Sequence, residues 1–263
     1  MKNPMSRAAE IYKHNGTREL FRAGRDWLYN NGFPLAKTNI FGLPLVDDWC
    51  YKRSNMRLQR LMEAEQSFAD SVETVNKYQG YGNYKSIKPM QGIEPLKELF
   101  NRVAETGPET VVEIGTARGG TFYLMVRFFN SANQFVSVNL GWSFGYKYKK
   151  QLLKGIDPSR DLNFITGNSH DQVTYDEVNE ATKSEVDFMF IDGDHSYRGV
   201  KQDFEMYRDL MSGGGIIAFH DIQHEHPRVG VGELWKEIKR DYKTEEIGVS
   251  PERTTGGIGL VYT

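Results

Sequence analysis

The chain has 263 residues, with 33 Lys+Arg against 35 Asp+Glu, a formal net charge of -2 and a pI near 6.3. That length holds one large α/β domain with an extension. The balanced charge provides no global field for nucleic acid or an anionic membrane, so a small neutral or mixed-charge substrate fits better.

The single cysteine, Cys50, can form no intramolecular disulfide and no thiolate metal site alone, which suits a reducing compartment. The N-terminal residues contain no apolar run resembling a secretory signal, and no stretch approaches the ~20 apolar residues that span a bilayer. The expectation is a soluble cytoplasmic protein with no transmembrane segment.

In chain order, residues 1–88 are rich in Arg, Lys, Asn and aromatics and lack glycine-punctuated strand signals. Helices are expected near 5–14, 17–30 and 54–78. In the last, Met56, Leu58, Leu61, Met62, Phe68, Val72 and Val75 recur at spacings of three and four, the pattern of one packed face. The stretch 30–50 is broken by Gly32, Pro34, Gly42 and Pro44 and reads as an aromatic loop capping a substrate. The Gly- and Tyr-rich stretch 78–92 leads into a helix over 93–106. It marks a boundary between a helical N-terminal extension (1–88) and a second domain (89–263).

From residue 109 the pattern becomes strand, turn, helix, repeated. The β-type runs are TVVEI (110–114), QFVSVNL (134–140), LNFIT (162–166), VDFMFID (186–192) and GIIAFHD (215–221), with helices at 119–130, 145–154, 173–182 and 197–211. Such alternation implies a parallel sheet covered on both faces. A further helix over 231–242 and two terminal β runs complete an α/β, Rossmann-like fold. Its expected core is a seven-stranded, mostly parallel sheet ending in an antiparallel pair.

In open sheets of this kind ligands bind beyond the carboxyl ends of the strands. The first end reads VVEIGTARGGT (111–121), where glycines allow close backbone approach and the next helix offers free N–H groups, a place for a carboxylate such as that of a methionine moiety. The spacing is not GxGxxG and no phosphate-loop Lys-Ser/Thr follows, so dinucleotide and nucleoside triphosphate readings lose ground. The fourth and fifth ends, FIDGDHSYRGVKQDF (190–204) and SGGGIIAFHDIQHEH (212–226), deliver Asp192, Asp194, His195, His220 and Asp221 to one rim. Buried carboxylates need a cation or hydrogen-bond donors to offset desolvation, and a divalent metal or a sulfonium would serve. His195 is the candidate proton acceptor near neutral pH.

These motifs, followed by VGVGELWKEIK and a final GGIGLV, resemble the class I S-adenosylmethionine-dependent methyltransferases grouped with cephalosporin-hydroxylase-like proteins and with macrolide and deoxysugar O-methyltransferases. The resemblance spans roughly residues 90–263. It implies S-adenosylmethionine as cofactor, held by Glu113, Gly115, Thr116, Gly119 and Gly120 at the methionine end, by Asn139 at the ribose, by Asn168 and Ser169 near the adenine, and by Asp192. It also implies a divalent metal, Mg, on Asp192, His220 and Asp221, with Asp192 and His195 catalytic and His195 as the base. The reaction implied is methylation of a hydroxyl on a small sugar-containing or glycan acceptor.

Asn139 and Asn168 stand where such sequences carry acids. His220 replaces the first member of an acidic pair, and its imidazole suits Zn, Mn or Fe as well as Mg. Trp27, Tyr29, Phe33, Phe41, Trp49 and Tyr51 are candidates to stack on a sugar face. Two other readings stand beside this one. The run HDIQHEH (220–226) can be taken as a non-haem iron site of an oxygenase, and Asn139 with Asn168 suit a catalytically silent cofactor-binding partner. A homo-oligomer is compatible with all three.

Overall fold

The computed structural model describes residues 44–141, 146–183, 185–252 and 256–263. The helices expected near 5–14 and 17–30, and with them Trp27, Tyr29, Phe33 and Phe41, lie outside the described residues. Among the described residues no helix is long and apolar enough to cross a membrane.

The helix expected over 54–78 is two helices, α1 (Pro44–Met62) and α2 (Phe68–Lys77). Apolar periodicity runs through the break, but Ser67 is extended (φ -148°), accepts from the Asp70 backbone N–H at 3.3 Å and donates to Asp70 Oδ2 at 2.8 Å. This is a reciprocal cap, and it restarts the helix. Helix α1 also begins inside the expected loop, at Pro44, whose missing N–H costs nothing in a first turn.

The remaining elements follow the expected order. They are α3 (Ile93–Ala104), β1 (Thr110–Ile114), α4 (Gly120–Phe128), β2 (Gln134–Asn139), α5 (Tyr146–Leu153), β3 (Asp161–Thr166), α6 (Gln172–Thr182), β4 (Val186–Ile191), α7 (Tyr197–Tyr207), β5 (Met211–His220), α8 (Val231–Asp241), β6 (Lys243–Ile247) and β7 (Ile258–Tyr262).

The sheet order is β3-β2-β1-β4-β5-β7-β6. Strands β1 to β5 are parallel, and β7 runs antiparallel to both β5 and β6, the expected closing pair. The chain leaves β1 toward β2 and returns on its other side at β4, so the strand order reverses between β1 and β4. A ligand crevice belongs beyond the carboxyl ends of those two strands.

Alternation along the strands divides the core. Val111, Phe135, Phe188 and Phe190 join Phe122, Phe129 and Leu153 on one face, while Val112, Val136, Met189 and Ile217 pack with Val200, Phe204 and Trp235 on the other. Burial of each such apolar side chain stabilises by about 1.5–3 kcal/mol. The first core also contains Leu58, Val75, Tyr78, Tyr84 and Ile87, so the described part of the N-terminal region packs into the sheet domain across residue 88.

Candidate active site

The turn after β1 is built by close backbone approach. Gly115 continues the ladder to the Val138 carbonyl at 2.9 Å, and the Asp192 N–H donates to the Ile114 carbonyl at 2.8 Å. Gly115 has φ +104°, and a Cβ there would run into the Asp192 carbonyl, so only glycine lets the ends of β1 and β4 meet.

Gly119 and Gly120 have a different reason. A Cβ on Gly119 would meet Leu153, and one on Gly120 would meet the Ile87 carbonyl and Pro89; these glycines seat neighbouring chain rather than line the crevice. Glu113 and Thr116 also lie behind the wall. The Ser137 hydroxyl donates to Glu113 at 2.8 Å and lies 2.5 Å from the Thr116 hydroxyl, while the Tyr146 hydroxyl donates to the Ser137 carbonyl at 3.1 Å. Burial pushes the Glu113 carboxyl up to about 8, against the Ser137 hydrogen bond, and the charge of Asp192 adds to the shift.

Beyond these strand ends opens a cavity of about 720 Å³, with Gly115, Asn139, Asn168, Ser169, Asp192, His195, His220 and Asp221 in its wall. Asn139, the last residue of β2, has its Nδ2 buried with no hydrogen-bond partner. Asn168 accepts from the His170 backbone N–H at 3.4 Å, and the Tyr207 hydroxyl donates to the Ser169 carbonyl at 2.9 Å. His170, also in the wall, lies 3.3 Å through Nε2 from the fully buried Asp203, which raises its pKa against the opposing effect of burial.

At the other end of the wall, four side chains close on one another. His220 Nδ1 lies 2.8 Å from Asp192 Oδ1 and 3.6 Å from Asp221 Oδ1. His195 Nε2 lies 3.4 Å from Asp192 Oδ1, and its Nδ1 is 3.0 Å from Asp221 Oδ2. Asp192 and then Asp221 push the His195 pKa up to about 10, outweighing desolvation. Burial opposes ionisation of both carboxyls, but the imidazoles outweigh it and hold Asp192 and Asp221 below the ordinary value.

Asp192 Oδ1 and His220 Nδ1 are an ion pair by distance yet fall outside hydrogen-bond geometry, so each is buried with no hydrogen-bond partner. An unpaired carboxylate acceptor and an unpaired imidazole nitrogen thus sit side by side in the cavity wall. Among the described residues no group of three or more His, Cys, Asp or Glu side chains is arranged to hold a metal ion, so the cluster of Asp192, His220 and Asp221 does not fit the divalent metal that the sequence implies. His224 and His226 stay outside the wall, so the run HDIQHEH contributes only His220 and Asp221 to it. Asp194, also in the wall, accepts from the Ser196 N–H at 2.9 Å and so holds the turn after β4.

Comparison with known proteins bears on this arrangement. Residues 112–222 match a family described as a methyltransferase domain. An uncharacterised protein of Acanthamoeba polyphaga mimivirus is 30% identical over 169 residues, covering 60% of this chain and 75% of that protein. The chain belongs to the S-adenosylmethionine-dependent methyltransferases.

A rhamnosyl O-methyltransferase of Mycobacterium bovis is 26% identical over 168 residues, 61% of this chain and 62% of that relative, so this methyltransferase spans under two thirds of it. An O-methyltransferase from Bacillus cereus in complex with SAH shares the fold with a TM-score of 0.56 at 17% identity, covering 81% of this chain and 100% of that one. One from Streptomyces achromogenes involved in tomaymycin synthesis, in complex with SAM, gives 0.54 at 12% identity, covering 81% and 98%. The cavity wall itself leaves one donor unused: Asn139 Nδ2 is buried without a hydrogen-bond partner, and an acceptor atom of a bound cofactor would satisfy it.

Gln91 and Met90 also line the cavity, and sequence reading assigned neither. They precede the strand-turn-helix repeat, where no spacing ties them to a strand end. Asp203 was missed as well, since in YRGVKQDFEMY it reads as one of several solvated polar residues of α7.

Proposed function

We propose that this methyltransferase transfers the methyl group of S-adenosylmethionine to a hydroxyl of a small sugar-containing acceptor, with His195 as base and Asp192 beside the reacting oxygen. The observation carrying this reading is the juxtaposition, in one cavity, of Asn139 and the Gly115 turn with the cluster of Asp192, His195, His220 and Asp221. The mycobacterial relatives direct the acceptor reading to a rhamnose-bearing glycoside.

Bound S-adenosylmethionine supplies a methyl group already activated on a positively charged sulfur. The chain's share is alignment and proton handling. Alignment of reacting atoms is worth up to about 7–11 kcal/mol, and here it falls to the Gly115 turn, Asn139 and the wall around Ser169. A hydroxyl holds its proton tightly at neutral pH, and a placed base contributes about 10²–10⁴-fold.

His195 is protonated at neutral pH while both carboxylates act on it. It becomes a base when positive charge beside Asp192 and Asp221 offsets their pull. The positively charged sulfonium of bound S-adenosylmethionine would supply such charge in this cavity.

The test is transfer from methyl-labelled S-adenosylmethionine to octyl α-L-rhamnopyranoside and a panel of other glycosides. The expected product is a sugar methyl ether. Label incorporated at nitrogen or carbon, or none in any glycoside by protein that binds S-adenosylhomocysteine, would end the sugar O-methylation reading.

A further inference from the structure

We propose that Gln91 is a positioning residue for Asp192: anchored at its other end by Thr121, its amide occupies Oδ2 of the carboxylate and leaves Oδ1 alone to face the reacting atoms. The inference rests on the methyl-transfer reading above.

The contacts form a directed chain. Gln91 Nε2 donates to Asp192 Oδ2, and the Thr121 hydroxyl donates to Gln91 Oε1 at 2.7 Å. An ionised carboxylate can only accept, so the amide must present its NH₂ to Asp192, and its oxygen is then left for Thr121. With the amide flipped, Oε1 would face Oδ2 with no proton between them. Asp192 therefore fixes which end of Gln91 it meets, and the Thr121 hydroxyl, buried in the first turn of α4, anchors the other end.

The result is a divided carboxylate. Oδ2 is taken, while Oδ1 has no hydrogen-bond partner and lies among His195 and His220.

Gln91 is delivered from outside the family-matched residues 112–222. The segment before it is locked down: Gly120 makes room for the Ile87 carbonyl and Pro89, and Lys149 Nζ donates to the Ser86 carbonyl. The side chain thus reaches Asp192 from a fixed base. It also joins the first turn of the helix beside the cofactor turn to the proton-handling end of the cavity.

The parent protein and the variants Gln91→Met, Thr121→Val and Thr121→Ser decide the matter. Met keeps approximate length without hydrogen bonding, Val removes only the hydroxyl, and Ser restores it. The measurements are the Kd of S-adenosylhomocysteine by calorimetry, kcat and KM for octyl α-L-rhamnopyranoside, the melting temperature, and the position of the Asp192 side chain in crystal structures with S-adenosylhomocysteine.

Gln91→Met and Thr121→Val should lower kcat by about 10–100-fold, by analogy with the loss of an outer hydrogen-bond partner that orients a metal-ligating side chain. Kd and KM should stay near the parent values, Thr121→Ser should be near parent throughout, and Asp192 should be turned in Gln91→Met. A parent-like kcat in Gln91→Met overturns the proposal. So does a fall in cofactor affinity and melting temperature that matches the fall in kcat, since that marks a structural role only.

If the parent methylates no glycoside, the acceptor reading fails and the crystal structures still judge Gln91. An unmoved Asp192 in Gln91→Met then overturns the proposal, and a turned one upholds it.

Discussion

Asp221 Oδ2 lies 3.0 Å from His195 Nδ1, and Asp221 makes this contact from a left-handed backbone with φ 62°. Such a conformation costs a non-glycine residue about 1–3 kcal/mol unless its surroundings enforce it, and Asp and Asn tolerate it best. Asp221→Asn therefore keeps the backbone and removes the charge. With one of its two carboxylates neutralised, His195 should titrate below its present value of about 10, and the acidic limb of a pH–rate profile should move to lower pH. Histidine NMR of the parent and Asn proteins reads the shift directly. An unmoved His195 titration would sink the assignment of Asp221 as its partner.

The same cluster makes stability depend on pH. His195 has a raised pKa, so its contribution is fully present below the unfolded value of 6.5 and is lost as pH rises through about 10. Asp192 and Asp221 have depressed values, so theirs is present above the unfolded value of 3.8 and is lost as pH falls through the folded ones. These are one set of contacts seen from its two sides. The melting-temperature gap between wild type and His195→Gln should be widest between about pH 4 and 6.5 and should close toward pH 11. A gap that is flat across that range would show that His195 is not paired in the folded protein.

Much of this was legible in the residues, for identifiable reasons. Parallel strands buried on both faces are continuous apolar runs, so β1, β2 and β4 announced themselves. Asp192, His195, His220 and Asp221 stood out as ionisable groups at the ends of such runs, and the structure gathers them within ion-pair distance.

What stayed hidden depends on contacts between distant parts of the chain. Gln91 meets Asp192 across 101 positions, and nothing local marks it. Glycines say that room is needed without saying for what, so Gly119 and Gly120 read like ligand contacts although they accommodate Leu153, Ile87 and Pro89. The break between α1 and α2 was masked because hydrophobic spacing passes through it while the Ser67 cap acts on backbone N–H groups.

Glu113 offers a test of where the cofactor wall ends. Its carboxyl is buried and titrates near 8, so the neutral form is favoured, and stability should decline as pH rises from its unfolded value of 4.5 through about 8. Glu113→Gln preserves shape and cannot ionise. It should melt close to wild type at pH 5 and above it at pH 9, with S-adenosylhomocysteine affinity nearly unchanged because Glu113 lies behind the wall. A large loss of affinity in the Gln protein would instead place the carboxylate in contact with the cofactor.

Asn139 is the sharpest probe of the ribose end. It terminates β2 next to the strand-order reversal, its backbone carbonyl accepts from Gly167 N at 3.2 Å, and its Nδ2 is buried in the cavity wall with no partner. A buried donor left unpaired costs about 1–3 kcal/mol, so a ligand oxygen that satisfies it recovers most of that. Asn139→Leu has similar volume and no polar atoms. It should bind S-adenosylhomocysteine more weakly by about 1–3 kcal/mol while folding at least as stably as wild type, because the leucine leaves no orphaned group. Asn139→Asp should bind as tightly as wild type or more so, since a carboxylate can accept from both ribose hydroxyls at once. Calorimetric titration of the three proteins distinguishes the cases: a graded order of Asp, Asn and Leu places the ribose here, whereas equal affinities would mean that the cofactor leaves this donor untouched.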